Sequence, residues 1–186
     1  MKTIKSLALA FVATIMLATS AAVAAPVTTS AQRFSNQQVA RQVRKELVTL
    51  PYYGVFDNLA YRVDNSMVTL YGQVLRPSTR SDAARRVAKI AGVNRVVNNI
   101  KVLPLSSFDD AIRRRTYRAV FGAGSLYRYA LGANPSIHIV VDRGRVALEG
   151  VVANKMDSQL AYIAASGVPG VFEVQNNLRF ERGEAR

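Results

Sequence analysis

The sequence predicts an α+β protein built from two tandem α-β-β-α-β modules, each a small mixed three-stranded sheet with two helices packed on one face. Three observations predict it. A phrase is written twice, GVNRVVNNIKV at 92–102 and GVFEVQNNLRF at 170–180. At a fixed offset of 78, residues 63–102 align without a gap on residues 141–180 with 12 of the 40 positions identical, where chance would supply about two. In each copy the apolar residues recur every four residues, then every two, then at helical spacing again, then every two, which orders the elements as helix, two strands, helix, strand. A unit of roughly 70 residues is too long for a stacked solenoid repeat and about right for a small domain.

A leader precedes the repeats. Lys2 and Lys5 stand before an apolar run of 12 residues from Leu7 to Ala18, and Ala22-Val23-Ala24 forms a small-residue cleavage site. Residues 1–24 are therefore expected to be a signal peptide cut near Ala24. A retained membrane anchor is the less favoured reading, because the run falls short of the about 20 residues a spanning helix needs. No cysteine follows it to carry a lipid. Residues 25–35 are expected to form a flexible N-terminal segment, 36–102 the first module, 103–107 a linker containing Pro104, 108–180 the second module and 181–186 a tail. Such a chain is expected to be exported, most simply to a bacterial periplasm.

The charge of +13 falls to +11 when Lys2 and Lys5 leave, so this basic protein is expected to meet anionic partners. Export argues against nucleic acid as one of them. The absence of cysteine excludes a disulfide framework and thiolate chemistry, leaving an apolar core to stabilise the fold.

Each element has its own signal. Val39, Val43 and Leu47, like Ile112, Thr116 and Val120, lie four apart and predict the opening helices. Alternation at Leu59, Tyr61, Val63 and at Val68, Leu70, Val74, matched by Ile137, Ile139, Val141 and Val146, Leu148, Val152, predicts two strands in each module. Asp64-Asn65 and Asp142-Arg143-Gly144 supply turn residues that tolerate positive φ, with Asp64 and Asp142 expected to brace the turns. The second helices carry Ala83, Val87, Ile90, Ala91 and Leu160, Ala161, Ala164. Asn154 with Asp157 reads as a cap and first-turn acid, and Gly92 and Gly170 as helix stops. The repeated phrase is the last strand, with Val96, Asn98, Ile100 and Val102 on one side.

The stretch Gly144-Arg145-Val146-Ala147-Leu148-Glu149-Gly150-Val151-Val152, and its near match over 67–74, is followed by an Ala-containing helix and Gly-Val-x-x-Val-x-Asn-x-Leu. Each copy thereby resembles a BON domain, the module of osmotically induced and outer-membrane-maintenance envelope proteins. The resemblance implies phospholipid or membrane binding without catalysis or cofactor, in support of envelope integrity or osmotic-stress tolerance. Asn98 and Asn176 are expected to satisfy local backbone groups rather than touch a ligand.

The copies differ most in the first helix. With Ile112 at zero and 100° per residue, Thr116, Ala119 and Val120 turn toward the core, whereas Arg114, Tyr117, Arg118 and Phe121 turn away. Tyr127, Arg128 and Tyr129 follow shortly. Guanidinium groups beside rings suit a membrane interface, so Arg114, Tyr117, Arg118, Phe121, Tyr127 and Arg128 form the candidate lipid-binding set, with phosphatidylglycerol or cardiolipin as the expected ligand. Three or four arginines would contribute roughly 3 to 4 kcal/mol, and insertion of Tyr117 and Phe121 roughly 2 to 4 kcal/mol more. The same rings would equally serve to pack one repeat against the other. A third reading is a protein-interaction or chaperone-like module that binds another envelope protein.

Catalysis has little to stand on. His138 is the single histidine and no cysteine exists, so neither a two-histidine nor a thiolate metal site is available. Its parity, opposite to Ile137 and Ile139, predicts an exposed or interdomain position. The 12 acidic residues show no paired-carboxylate spacing.

Overall fold

The computed structural model describes residues 30–132 and 134–180, with side chains from 36 onward; the expected signal peptide and the 181–186 tail lie outside these. Along the chain run α1 (Ser30–Val48), β1 (Asn58–Asp64), β2 (Met67–Val74), α2 (Pro77–Val87), β3 (Arg95–Asn98) and β4 (Lys101–Val102), then α3 (Ser107–Gly122), a 3-10 helix (Gly124–Ala130), β5 (Ile137–Asp142), β6 (Arg145–Val152), α4 (Lys155–Ser166) and β7 (Glu173–Phe180). The fold is the expected α+β pair of mixed sheets. In module one β2 is central, antiparallel to β1 and parallel to both β3 and β4; in module two β6 is central, antiparallel to β5 and parallel to β7. The tight turns at Asn65 (φ 53) and at Arg143 and Gly144 (φ 52 and 74) force the antiparallel pairs. The crossovers through α2 and α4 return the chain parallel.

Periodicity translates directly into burial. Val39, Val43 and Leu47 of α1 close over Val68, Leu70 and Val74 of β2 and over Ala83 and Val87 of α2. Ile112 and Val120 of α3 close over Ile137, Ile139, Val146 and Leu148, with Ala161 and Ala165 of α4. The repeated asparagines tie strand to helix. Asn98 Nδ2 donates to the Arg80 carbonyl (3.0 Å) and Asn176 Nδ2 to the Ser158 carbonyl (3.1 Å). Their Oδ1 atoms accept from the amides two residues on, Ile100 and Leu178 (both 3.2 Å).

Several local expectations need correction. The first helix starts at Ser30, so the backbone of residues 30–35 is helical rather than a flexible leader. The second helices end at Val87 and Ser166, several residues before Gly92 and Gly170; those glycines, at φ 89 and 92, turn the chain into the last strand instead of stopping the helix. In module one that strand is divided between β3 and β4. The second turn is braced from α3 rather than by Asp142. Buried Asp109 accepts from the amides of Arg143 (2.9 Å) and Gly144 (2.8 Å), while Asp142 is half-exposed beside Arg143. Module two has a longer connection from first helix to first strand, and part of it folds as the 3-10 helix. Asn154 caps α4 as expected, accepting from the Asp157 amide at 2.8 Å.

The glycine shared by the two central strands has a steric cause. Gly72 and Gly150 adopt φ +117 and +123, and a Cβ would lie 2.0 Å from the carbonyl oxygens of Asn58 and Ser136 respectively. No side chain fits without parting the strand pair. Gly150→Ala is expected to lower stability by about 3 kcal/mol, a fall of roughly 10 °C in Tm. Gly132→Ala, at φ +90 with nothing near its Cβ, is expected to cost about 1–2 kcal/mol. Calorimetry of the two variants checks this, and equal losses would contradict the steric reading.

Candidate functional site

The modules meet through residues 50–57 of the first, the connection between α1 and β1. The Ile139 amide of β5 donates to the Val55 carbonyl (2.7 Å), so this segment seats against the outer edge of the second sheet. Beside it His138 lies between Tyr53 and Gly54, its Nδ1 at 3.2 Å from the Gly54 carbonyl and its Nε2 at 3.4 Å from the Tyr53 hydroxyl. Both contacts are met by one neutral tautomer, with Nδ1–H donating and Nε2 accepting. Buried Asp57 shapes the segment by accepting from the amides of Gly54 (3.1 Å) and Leu75 (2.7 Å). Phe56 then reaches α3, meeting Tyr117 edge to face at 6.2 Å between centroids.

This docking creates an open apolar hollow of about 310 Å³ lined by Val55, Phe56, Tyr117, Arg114 and Arg118. Its floor comes from both modules and its two cations from one helix face. Arg114 and Arg118 are exposed and stand one turn apart, Arg118 Nε donating to the Arg114 carbonyl (3.3 Å). An anionic group bearing an apolar stem matches that arrangement: guanidinium groups for the charge, rings for the stem.

Of the six residues expected to form the site, the structure brings three together here. Arg114, Tyr117 and Arg118 line the hollow. Phe121 does not, because at 8% exposure it belongs to the core of module two, against Tyr117 at 4.8 Å. The expectation that it faces outward is corrected. Arg128 is paired with Asp157, whose carboxylate also accepts from the Tyr129 hydroxyl (2.6 Å); the hydroxyl in turn accepts from the Ala153 amide (2.8 Å). Arg128 therefore clasps the 3-10 helix to the start of α4. The hydrogen bond from Tyr129, with those from Arg128 and Asn154, holds the Asp157 carboxyl below its ordinary range against the opposing effect of burial. Tyr127 is 60% exposed, on the 3-10 helix. Val55 and Phe56 are the site residues that sequence reasoning missed; both precede the aligned region, in a connection without periodicity.

A family model for the BON domain matches the chain twice, at residues 35–104 and 109–182. The chain belongs to the BON-domain family. BON domains are associated with phospholipid, membrane and envelope-protein interactions. Among solved structures, the chain is similar to CdsD, a structural protein of the type III secretion system of Chlamydia trachomatis, at 12% identity over 76% of this chain and 91% of that one with a TM-score of 0.28. A C-terminal domain of the same protein matches at 10% identity over 75% of this chain and 96% of that one with a TM-score of 0.27. No curated protein matches the chain. Among the described residues no helix is long and apolar enough to cross a membrane.

The junction between the BON domains carries its own pH dependence. Burial holds His138 below the ordinary histidine value of 6.5, against the hydrogen bond to Gly54 and the nearby Asp57 and Glu149. Burial likewise pushes the Tyr53 hydroxyl up to about 12 and raises Asp57. For His138 the unfolded chain takes up a proton before the folded one. Its contribution is therefore complete above about pH 6.5 and is lost as pH falls through the depressed folded value. Asp57 acts with opposite sign in the more acid carboxylate range. Tm is expected to decline from pH 7.5 to 5.5 in the native chain and to decline less in His138→Gln; scans at both pH values check it, and an equal decline in both proteins would contradict it.

Proposed function

We propose that this is a non-enzymatic, exported protein of the periplasm that binds the anionic phospholipid of an envelope membrane, phosphatidylglycerol or cardiolipin, and so supports envelope integrity under osmotic stress. The observation that carries the reading is the hollow at the module junction, with its apolar floor of Val55, Phe56 and Tyr117 and its rim of Arg114 and Arg118. Membership of the BON family and the net charge of +13 support it. The hollow takes the phosphate between the two guanidinium groups and the glycerol and first methylenes against the rings.

Magnitudes limit the affinity. Two exposed arginines near an anionic leaflet contribute about 2 kcal/mol together, less than six site residues would have supplied, since Phe121 is buried and Arg128 engaged. Contact of a few methylenes with the rings adds about 2 kcal/mol. A total of roughly 4 kcal/mol corresponds to about millimolar binding at one site, so association is weak, reversible and sensitive to salt.

Vesicle sedimentation tests it. Binding is expected to phosphatidylglycerol vesicles over phosphatidylcholine ones, with a loss of about 30-fold or more in Arg114→Glu/Arg118→Glu. Both side chains are exposed, so thermal melting should change little in that variant. Equal binding to the two vesicle types, or undiminished binding of the double variant, would rule the site out.

A further inference from the structure

The last strand of each module lies at the edge of its sheet, and the two edges are built differently. Among the described residues β7 pairs with β6 alone and its outer edge meets no other strand. It runs unbroken from Glu173 to Phe180, whereas the equivalent stretch of module one is divided into β3 and β4 at Asn99 and Ile100. A long unbroken edge is a template for another strand; its Leu178 amide is held by the Asn176 side chain at 3.2 Å, a bond that pairing would exchange for one to the carbonyl of the incoming strand.

The sequence of β7 is complementary to itself. Placed antiparallel to a second copy about a two-fold axis through Asn176, it sets Glu173 opposite Arg179 on each side of the axis and Val174 opposite Leu178. One step further out, Phe172 falls opposite Phe180. These two rings are 76% and 47% exposed, Phe172 being covered in part by Phe108 at 6.2 Å between centroids. On a pleated strand Phe172, Val174, Leu178 and Phe180 share one side, the side on which Leu178 is buried, so pairing would extend the apolar face of the sheet across the axis. Glu173 already meets Arg145 of β6 at 3.3 Å; in the pair its carboxylate would lie between two guanidinium groups. On α4, Tyr162 stands one turn beyond Ser158, which holds Asn176, and is 43% exposed, on the flank of the helix nearest the open edge.

Module one supplies an internal control. At the offset of 78, the positions of Glu173 and Arg179 are held by Arg95 and Lys101, and those of Phe172 and Phe180 by Asn94 and Val102. The same self-pairing there would oppose like charges twice and bring no rings together, a common way of blocking an edge. We propose that the chain forms a two-fold dimer through antiparallel β7–β7 pairing centred on Asn176, joining the second sheets of two copies into one of six strands. The inference stands apart from the lipid reading, since β7 contributes nothing to the hollow.

The full exported chain has no cysteine, which makes disulfide trapping clean. Gln175 and Asn177, both exposed, face each other across the proposed pair at about 4.5–5.5 Å between Cα atoms, within disulfide range. Gln175→Cys/Asn177→Cys is expected to give a covalent dimer on oxidation, with about tenfold less from either single variant, whose thiols are offset by two residues. Sedimentation equilibrium of the unmodified chain is expected to show a reversible dimer that Arg179→Glu weakens about tenfold by placing two carboxylates opposite one another on each side of the axis. A monomer at every concentration would overturn the proposal. So would single variants that cross-link as well as the double, or a dimer indifferent to Arg179→Glu.

Discussion

The contact on which the rest of this molecule depends is the seating of residues 50–57 of the first BON domain on the edge strand of the second. One backbone hydrogen bond, from the Ile139 amide to the Val55 carbonyl, fixes the register. Around it Asp57 holds the segment in shape, His138 fills the gap behind Gly54, and Phe56 is carried forward to Tyr117. A module of about 70 residues buries a modest core by itself, so the added burial at the junction stabilises both. The same contact has a second consequence: without Val55 and Phe56, Tyr117 and the two arginines would sit on a bare helix instead of around a hollow.

Duplication separates what the fold requires from what each copy does. Where the modules agree, the shared residue has a backbone task. Gly72 and Gly150 admit a carbonyl oxygen that any Cβ would strike, and Asn98 and Asn176 bind the last strand to the second helix. Several of the differences lie on surfaces. The first module contributes a connecting segment and a blunted, like-charged edge; the second contributes an arginine and tyrosine face and an unbroken, self-complementary edge. The longer connection in module two has a structural task as well: its 3-10 helix brings Arg128 and Tyr129 to Asp157 and encloses the end of α3.

The modules, their element order and much of their cores were legible because they rest on local periodicity. The cap at Asn154, which reaches three residues, was legible for a similar reason, as were the Oδ1 bonds of the repeated asparagines to the amides two residues on; their Nδ2 bonds to the second helices span 18 residues and were not. What escaped depends on distant residues. Phe121 lies half a turn of the helical wheel from Ile112, so a calculation based on one sheet turns it to solvent. In the folded chain Leu126 and Tyr129 of the 3-10 helix share its core and bury it. Arg113 escaped similarly: its side chain is buried, donating to the Val141 carbonyl at 2.6 Å, a partner 28 residues away. Asp109 replaced Asp142 as the brace of the second turn because α3 crosses above it, which no spacing within the turn could disclose.

The most direct measurement of this account is amide hydrogen exchange at Ile139 in the intact chain. If the Val55 carbonyl closes the edge of β5, that amide should exchange within about tenfold of the amides in the β5–β6 ladder, and should lose its protection when acidification charges His138. Exchange at the rate of an exposed loop amide, while the ladder stays protected, would mean that the domains do not meet through this segment and that the hollow beside Tyr117 does not exist in solution.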